Sequence, residues 1–112
     1  MTTLQVVRTR LFDEDFWALP AQAQDELWRI LAGIRRHPFA PGSGYTVVSL
    51  RKVSRSGDRV AHFLDDDYRL LFEVDGPLLI LIGVGPRPGF YRRLDRLRGR
   101  RASIHSGSSN GR

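Results

Sequence analysis

The pattern of apolar and polar positions predicts a helical segment in the first half of the chain. Apolar residues recur at helical spacing from Ala23 to Ile34, after a stretch rich in acidic residues. We predict a short helix and then a longer one within residues 13–36, with Asp13 as the first N-cap. His37 precedes a proline, which disfavours the α region and ends the second helix.

Short apolar and β-branched runs, bounded by turn residues, predict strands on both sides of these helices. The candidates are one strand before the helices, one after them and then a three-stranded meander: Leu4–Val7, Tyr45–Val53 and Arg59–Tyr91 with its final loop. A short basic helix follows at Phe90–Leu97. The predicted fold is therefore α+β, with a helical hairpin packed on a mainly antiparallel sheet of four to five strands.

The meander contains two predicted turns, Asp65-Asp66 and Asp75-Gly76. A two-residue turn at the first site places His62 directly opposite Arg69 on the neighbouring strand. Because side chains alternate along strands, the face that carries both residues also carries a further set: Val60, Leu64, Asp67 and Leu71. The other face is apolar enough to be the core. An imidazole beside a guanidinium is suited to handling a phosphate group.

The length of 112 residues is enough for one domain with one core. We assign residues 1–98 to that domain and residues 99–112 to a basic tail that we expect to be disordered. The net charge of +6 comes entirely from residues 92–112, because residues 1–91 hold equal numbers of basic and acidic residues. A basic end favours a polyanion or an acidic protein as a partner; a solvated tail is the alternative.

Several classes of protein are disfavoured by what the sequence lacks. There is no cysteine, which excludes disulfides and cysteine-based zinc sites, and no apolar run approaches the ~20 residues that span a bilayer. The first residues lack the apolar core of a secretory signal, so we expect a cytoplasmic protein with no membrane contact. We expect neither a cofactor nor a metal, because the three acids at Asp65–Asp67 would point apart in a tight turn.

The sequence near the end of the meander is similar to a pattern found in a known protein superfamily. The chain resembles the RelE/ParE superfamily of type II toxins in four successive features. They are Tyr68-Arg69-Leu70-Leu71-Phe72, an Asp-Gly turn, Leu81-Ile82-Gly83-Val84-Gly85-Pro86-Arg87 and Tyr91. The resemblance implies a compact α/β toxin that a cognate antitoxin neutralises. RelE-like members cut mRNA in the ribosome, whereas ParE-like members inhibit DNA gyrase and lack the nuclease residues.

The resemblance to the RelE branch implies a catalytic set of His62, Arg69, Arg87 and Tyr91. Metal-free RNA cleavage needs a base for the 2′-hydroxyl, an acid for the leaving oxygen and cations for the phosphate. His62 suits the base, because Arg69 would keep its imidazole neutral. The two arginines would clamp the phosphate, and Tyr91 would stack on a base or assist proton transfer. Val60 departs from the pattern, since a second lysine is expected there.

Further basic residues are candidates for binding RNA phosphates. They lie after the second strand and at the start of the C-terminal element: Arg51, Lys52, Arg55, Arg59, Arg92 and Arg93. Arginine offers planar, forked donors that match phosphate geometry. A solvated strand end is the alternative for the first group.

Three functions remain open at this point. The first is a ribosome-dependent mRNA endoribonuclease that inhibits translation. The second is a toxin without catalysis that inhibits gyrase, and the third is a small nucleic-acid-binding adaptor that uses the basic end. For single residues the alternatives are a half-buried strand histidine at His62, a salt bridge from Arg69 to Asp67 or Glu73, a solvated loop residue at Arg87 and plain helix packing at Tyr91.

Overall fold

The computed structural model describes residues 3–49 and 58–93. Its elements follow the predicted order and end in one turn of 3-10 helix. They are β1 (Gln5–Arg8), α1 (Arg10–Ala18), α2 (Ala21–Arg36), β2 (Tyr45–Ser49), β3 (Asp58–Phe63), β4 (Tyr68–Asp75), β5 (Leu78–Pro86) and the turn Tyr91–Arg93. The α+β class is confirmed. The remainder of the predicted second strand and of the C-terminal helix, like the tail, lies outside the described residues.

The first helix begins earlier than the sequence pattern predicts. Thr9, not Asp13, is the N-cap, because its hydroxyl accepts a hydrogen bond from the backbone N–H of Phe12 at 3.0 Å. Asp13 instead lies in the first turn of α1, where its carboxylate approaches the Arg8 guanidinium at 3.3 Å. An acid at this position remains favourable, since it faces the positive end of the helix dipole.

Helix α2 presents the predicted apolar stripe to the sheet. The buried residues recur every three or four positions: Ala23, Leu27, Ile30, Leu31 and Ile34. The helix ends at Arg36, and the N–H of His37 still donates to the Gly33 carbonyl at 2.9 Å. Pro38 follows, as expected of a residue that cannot continue a helix. No helix among the described residues is long and apolar enough to span a membrane.

The five strands form one mixed sheet in the order β1-β5-β4-β3-β2. β1 pairs in parallel with β5, and the other neighbours are antiparallel. The main core lies between the helices and one face of the sheet, where Phe63, Leu70 and Phe72 are fully buried. A smaller apolar cluster covers the other face: Leu11, Val60, Leu71, Ile80, Ile82 and Phe90. β5 is therefore buried on both faces, as its uninterrupted apolar sequence predicts.

The turns of the meander keep the predicted register but differ in detail. His62 lies opposite Arg69 and Phe63 opposite Tyr68, so the first register is confirmed. The second turn is centred on Gly76-Pro77 rather than Asp75-Gly76, because Asp75 still pairs with Leu78. Gly76 takes a φ of 58° there, a conformation that glycine adopts without steric cost.

The pairing of β4 with β5 contains a bulge that the sequence pattern does not reveal. Leu71 lies opposite Gly83, but Phe72 lies opposite Leu81, so Ile82 is an extra residue on β5. The bulge reverses the alternation along β5, and Val84 consequently joins Leu81 in the main core. Thr9 supports this irregular stretch, since its hydroxyl donates to the Ile82 carbonyl at 3.1 Å.

Candidate functional site

The candidate site is centred on His62 of β3 and Arg69 of β4, which face each other across the sheet. Paired residues of antiparallel strands project to the same side, so the imidazole and the guanidinium share the face of the smaller apolar cluster. His62 is half-buried, and only 5% of the Arg69 side chain is exposed. A buried guanidinium keeps a fixed position and meets little screening by water.

Asp66 connects these two residues. Its Oδ1 atom lies 3.0 Å from Nδ1 of His62 and 3.2 Å from Nη1 of Arg69. The same Nη1 donates to the backbone carbonyl of Asp66 at 2.6 Å. The carboxylate therefore contacts both the imidazole and the guanidinium from the end of the hairpin. Sequence reasoning missed this role, although a carboxylate four residues after a strand histidine, within the hairpin turn, was an available signal.

The hairpin loop has an unusual backbone that brings Asp66 back over the strands. Leu64, Asp65 and Asp66 all have positive φ angles, of 52°, 53° and 73°. Aspartate tolerates this left-handed region better than most residues, whereas leucine does not. The side chain of Leu64 packs against the main core instead of the His62 face. The predicted face for Leu64 is therefore wrong, because the strand alternation ends at Phe63.

Burial and charge make His62 a weak base that is neutral at pH 7. Burial is the larger cause that lowers the pKa of His62, and the Arg69 guanidinium lowers it further. Arg87 also lowers this pKa, while the Asp66 carboxylate raises it and offsets part of the effect. The predicted direction is confirmed. When Nδ1–H donates to Asp66, the ring nitrogen with the accepting lone pair is Nε2.

Two further arginines approach this site from the loop that follows β5. Arg87 is exposed, and its backbone N–H donates to the Asp67 carbonyl at 2.7 Å, which ties the loop to the hairpin. Arg93 comes from the terminal turn: a Cβ added to Gly85 would lie only 2.8 Å from its Nη1 atom. Gly85 is the residue opposite Arg69 on β5. Positive charge thus converges on one small area.

The remaining predicted residues have different positions. Arg59 and His62 lie three positions apart on β3, so their side chains project to opposite faces of the sheet. The Arg59 guanidinium stacks over the Phe39 ring at 4.6 Å and does not join the groups around His62. Val60, where the resemblance leads us to expect a lysine, is fully buried. Arg92 is exposed on the terminal turn. The predicted residues Arg51, Lys52 and Arg55, and the side chain of Tyr91, lie outside the described part of the chain.

Among residues 3–49 and 58–93, no group of three histidine or acidic side chains is arranged to hold a metal ion. The site instead combines one neutral imidazole with several guanidinium groups and one carboxylate. Such a set can bind a phosphate and accept a proton next to it.

The fold is similar to that of chains in solved toxin–antitoxin complexes. No protein-family model matches the chain, and no curated protein matches it. Among solved structures, a chain of the DinJ–YafQ toxin–antitoxin complex from E. coli matches with a TM-score of 0.63 and 17% identity, over 80% of this chain and 98% of that one.

Two further solved complexes contain a chain that is similar to this one. A chain of the RelB–RelE antitoxin–toxin complex from Methanococcus jannaschii has a TM-score of 0.60 and 15% identity, over 77% of this chain and 95% of that one. A chain of the RelBE2 toxin–antitoxin complex from Mycobacterium tuberculosis has a TM-score of 0.56 and 20% identity, over 77% of this chain and all of that one. The chain thus has a RelE-like α+β fold.

Proposed function

We propose that this protein is the toxin of a type II toxin–antitoxin system and that it cleaves mRNA on the ribosome. The observation that carries the proposal is the cross-strand pair of His62 and Arg69, tied together by Asp66. The fold supports it, because the similar solved structures are chains of toxin–antitoxin complexes. A fold alone does not specify chemistry, so the residues of the site must supply the reaction.

The proposed reaction is an attack by a 2′-hydroxyl of RNA on the adjacent phosphorus. Nε2 of His62 accepts the proton of that hydroxyl, the O2′–P bond forms and the bond from phosphorus to the 5′-oxygen breaks. The products are a 2′,3′-cyclic phosphate and a 5′-hydroxyl, which takes a proton from Tyr91 or from water. Arg69 and Arg87 stabilise the charge that builds on the phosphate oxygens.

The lowered pKa of His62 is consistent with this role. A base must be unprotonated before the reaction begins, and burial beside Arg69 favours the neutral imidazole at pH 7. The hydrogen bond from Nδ1 to Asp66 orients the ring and makes Nε2 the nitrogen with the lone pair that can accept a proton. The pair therefore combines a base with a fixed cation, as phosphoryl chemistry without a metal requires.

An antitoxin is part of the proposal, since a toxin of this class needs a partner that neutralises it. The support is that the three similar structures are all complexes of a toxin with an antitoxin. The positive charge gathered around Arg69, Arg87 and Arg93 favours an acidic segment of that partner. Co-expression of a candidate antitoxin should then restore growth to cells that express this chain.

The test is induced expression in a bacterial host, with growth followed and the 5′ ends of mRNA mapped. The wild type should arrest growth and produce new ends inside translated frames. His62→Ala should reduce cleavage by about 10²–10⁴-fold, the usual contribution of a general base. His37→Ala is the matched control, because His37 is an exposed histidine just after α2, away from this face. It should cleave like the wild type.

Other outcomes would select other functions. Full cleavage by His62→Ala would contradict the assigned base. Growth arrest with intact mRNA would direct attention to DNA gyrase, an alternative that the buried Val60 keeps open because it removes one expected cation from the site. The absence of any arrest, combined with salt-sensitive RNA binding that requires residues 99–112, would favour the adaptor.

A further inference from the structure

A carboxylate of the first helix reaches across the molecule to the terminal turn. Asp15 of α1 is only 14% exposed at its side chain. Its Oδ2 atom accepts the backbone N–H of Val84 at 3.1 Å, and Nη2 of Arg93 lies 3.1 and 3.0 Å from its two oxygens. Asp15 and Arg93 are 78 residues apart in sequence. One side chain thus joins the helix, the last strand and the turn.

The bulge in β5 determines where this carboxylate is placed. Val84 lies two residues after Ile82, the extra residue of β5, and its side chain turns back into the main core. Its N–H is aligned with Asp15, so the carboxylate is held by backbone as well as by Arg93. A carboxylate with a fixed backbone donor has little freedom to move. It therefore defines the position of whatever guanidinium binds it.

The second guanidinium nitrogen of Arg93 faces the candidate site. Asp15 contacts Nη2, while Nη1 is the atom that a Cβ on Gly85 would approach at 2.8 Å. Because Gly85 pairs with Arg69, that Cβ would project to the same face as the Arg69 side chain. A side chain at this position would displace the end of the Arg93 side chain. The result is two guanidinium groups beside the paired residues of β4 and β5: Arg69 on β4, held by Asp66, and Arg93 on the terminal turn, held by Asp15.

We propose that Asp15 is a positioning residue, which holds Arg93 so that its Nη1 atom binds an RNA phosphate beside Arg69. The inference rests on the proposed function and adds the element that orients the second cation. Two like charges on neighbouring positions repel each other in the absence of RNA. Each has its own carboxylate, exposed at Asp66 and largely buried at Asp15, and the anion that both would share is a phosphate.

Simple electrostatics and the positioning role make opposite predictions for Asp15→Asn. Removal of a negative charge near a phosphate should strengthen RNA binding if charge alone matters. If Asp15 orients Arg93, binding should weaken, because Arg93 loses its anchor. The amide of asparagine retains an oxygen that can accept the Val84 N–H, so the backbone contact is kept. Asp13→Asn is the matched control, since Asp13 lies on the same helix and contacts Arg8 instead.

The experiment measures binding of a short single-stranded RNA with methylated 2′-hydroxyls, which prevent cleavage during the measurement. We expect Arg93→Gln to weaken binding by about 10- to 100-fold, as for loss of a charged hydrogen bond. Asp15→Asn should weaken it by about 3- to 10-fold, whereas Asp13→Asn should leave it unchanged or slightly tighter. The double variant Asp15→Asn/Arg93→Gln should equal Arg93→Gln, because Asp15 acts only through that residue. Urea unfolding of each variant verifies the fold.

The outcomes separate this inference from the proposed function. The positioning role is overturned if Asp15→Asn binds RNA as tightly as Asp13→Asn. It is also overturned if the loss of RNA affinity in the double variant is the product of the losses in the two single variants. If the variants show the expected pattern of RNA binding but the wild type leaves mRNA intact in cells, the positioning role is supported and the nuclease is contradicted. A wild-type chain that binds no RNA would contradict both.

Discussion

The hydroxyl of Thr9 should be among the most important polar groups for stability, and Thr9→Val tests this. Valine keeps the shape and the branching of threonine but removes the oxygen. The residue is 3% exposed, its hydroxyl caps α1 through Phe12, and the same hydroxyl donates to the bulged Ile82. The substitution therefore leaves two buried backbone groups without this partner.

The expected cost follows from these two hydrogen bonds. Loss of a helix N-cap costs about 1 kcal/mol, and an unsatisfied buried carbonyl costs about 1–3 kcal/mol. Together they predict that the free energy of unfolding falls by about 2–4 kcal/mol, a large share of the about 5–15 kcal/mol of a typical domain. At about 4 °C per kcal/mol, Tm should fall by about 8–16 °C.

Urea unfolding followed by circular dichroism is the assay, with Thr9→Ser as the control. Serine retains the hydroxyl and loses one methyl group, so it should cost only about 0.8 kcal/mol. The m-value should stay the same in both variants, which would show that the fold and its exposed surface are unchanged. If Thr9→Val were as stable as Thr9→Ser, the hydroxyl would contribute nothing and the reasoning about the bulge would be refuted.

Three further predictions concern Asp66, Gly33 and Gly76. Asp66→Asn should move the acidic limb of the cleavage rate to lower pH, because the Asp66 carboxylate raises the pKa of His62; a shift to higher pH would contradict this. Gly33→Ala should destabilise the wild type, since the new Cβ would lie 2.5 Å from the Tyr45 hydroxyl, but in a Tyr45→Phe background it should stabilise by up to about 1 kcal/mol in urea unfolding. Gly76→Ala meets no atom within 4 Å, so calorimetry should show only the backbone strain of a positive φ, about 1–2 kcal/mol.

The sequence predicts the His62–Arg69 pair because its signal is local. The two residues lie seven positions apart on either side of a turn, and the alternation of the strands fixes which residues share a face. The helical pair is equally local, since its apolar stripe follows one period. Both features can be read from a single stretch of sequence and one rule of geometry.

The contacts that depend on distant segments were not predictable in this way. β5 is apolar at nearly every position, so its alternation carries no information about the bulge at Ile82. Thr9 and Asp13 are both good N-caps, and the choice between them depends on the Ile82 carbonyl, which lies far away in sequence. For the same reason, no local pattern connects Asp15 with Arg93.

The parallel pairing of β1 with β5 has a consequence for how the protein is made. The strand that begins the described chain has its partner strand near the end, and Thr9 is 73 residues from the Ile82 carbonyl that it binds. At about 5–20 residues per second, a ribosome needs about 4–15 s to synthesise that interval. During this time α1 and α2 have been synthesised, but the sheet that covers their apolar stripe is incomplete.

The candidate site is subject to the same delay. His62, Arg69 and Arg87 emerge in succession, and the helix that contributes Asp15 can dock only when β5 has been synthesised. A nascent chain that ends before β5 therefore carries His62 and Arg69 but neither Arg87 nor the strand that completes the framework. The complete candidate site therefore exists only after β5 and the loop that follows it have been synthesised.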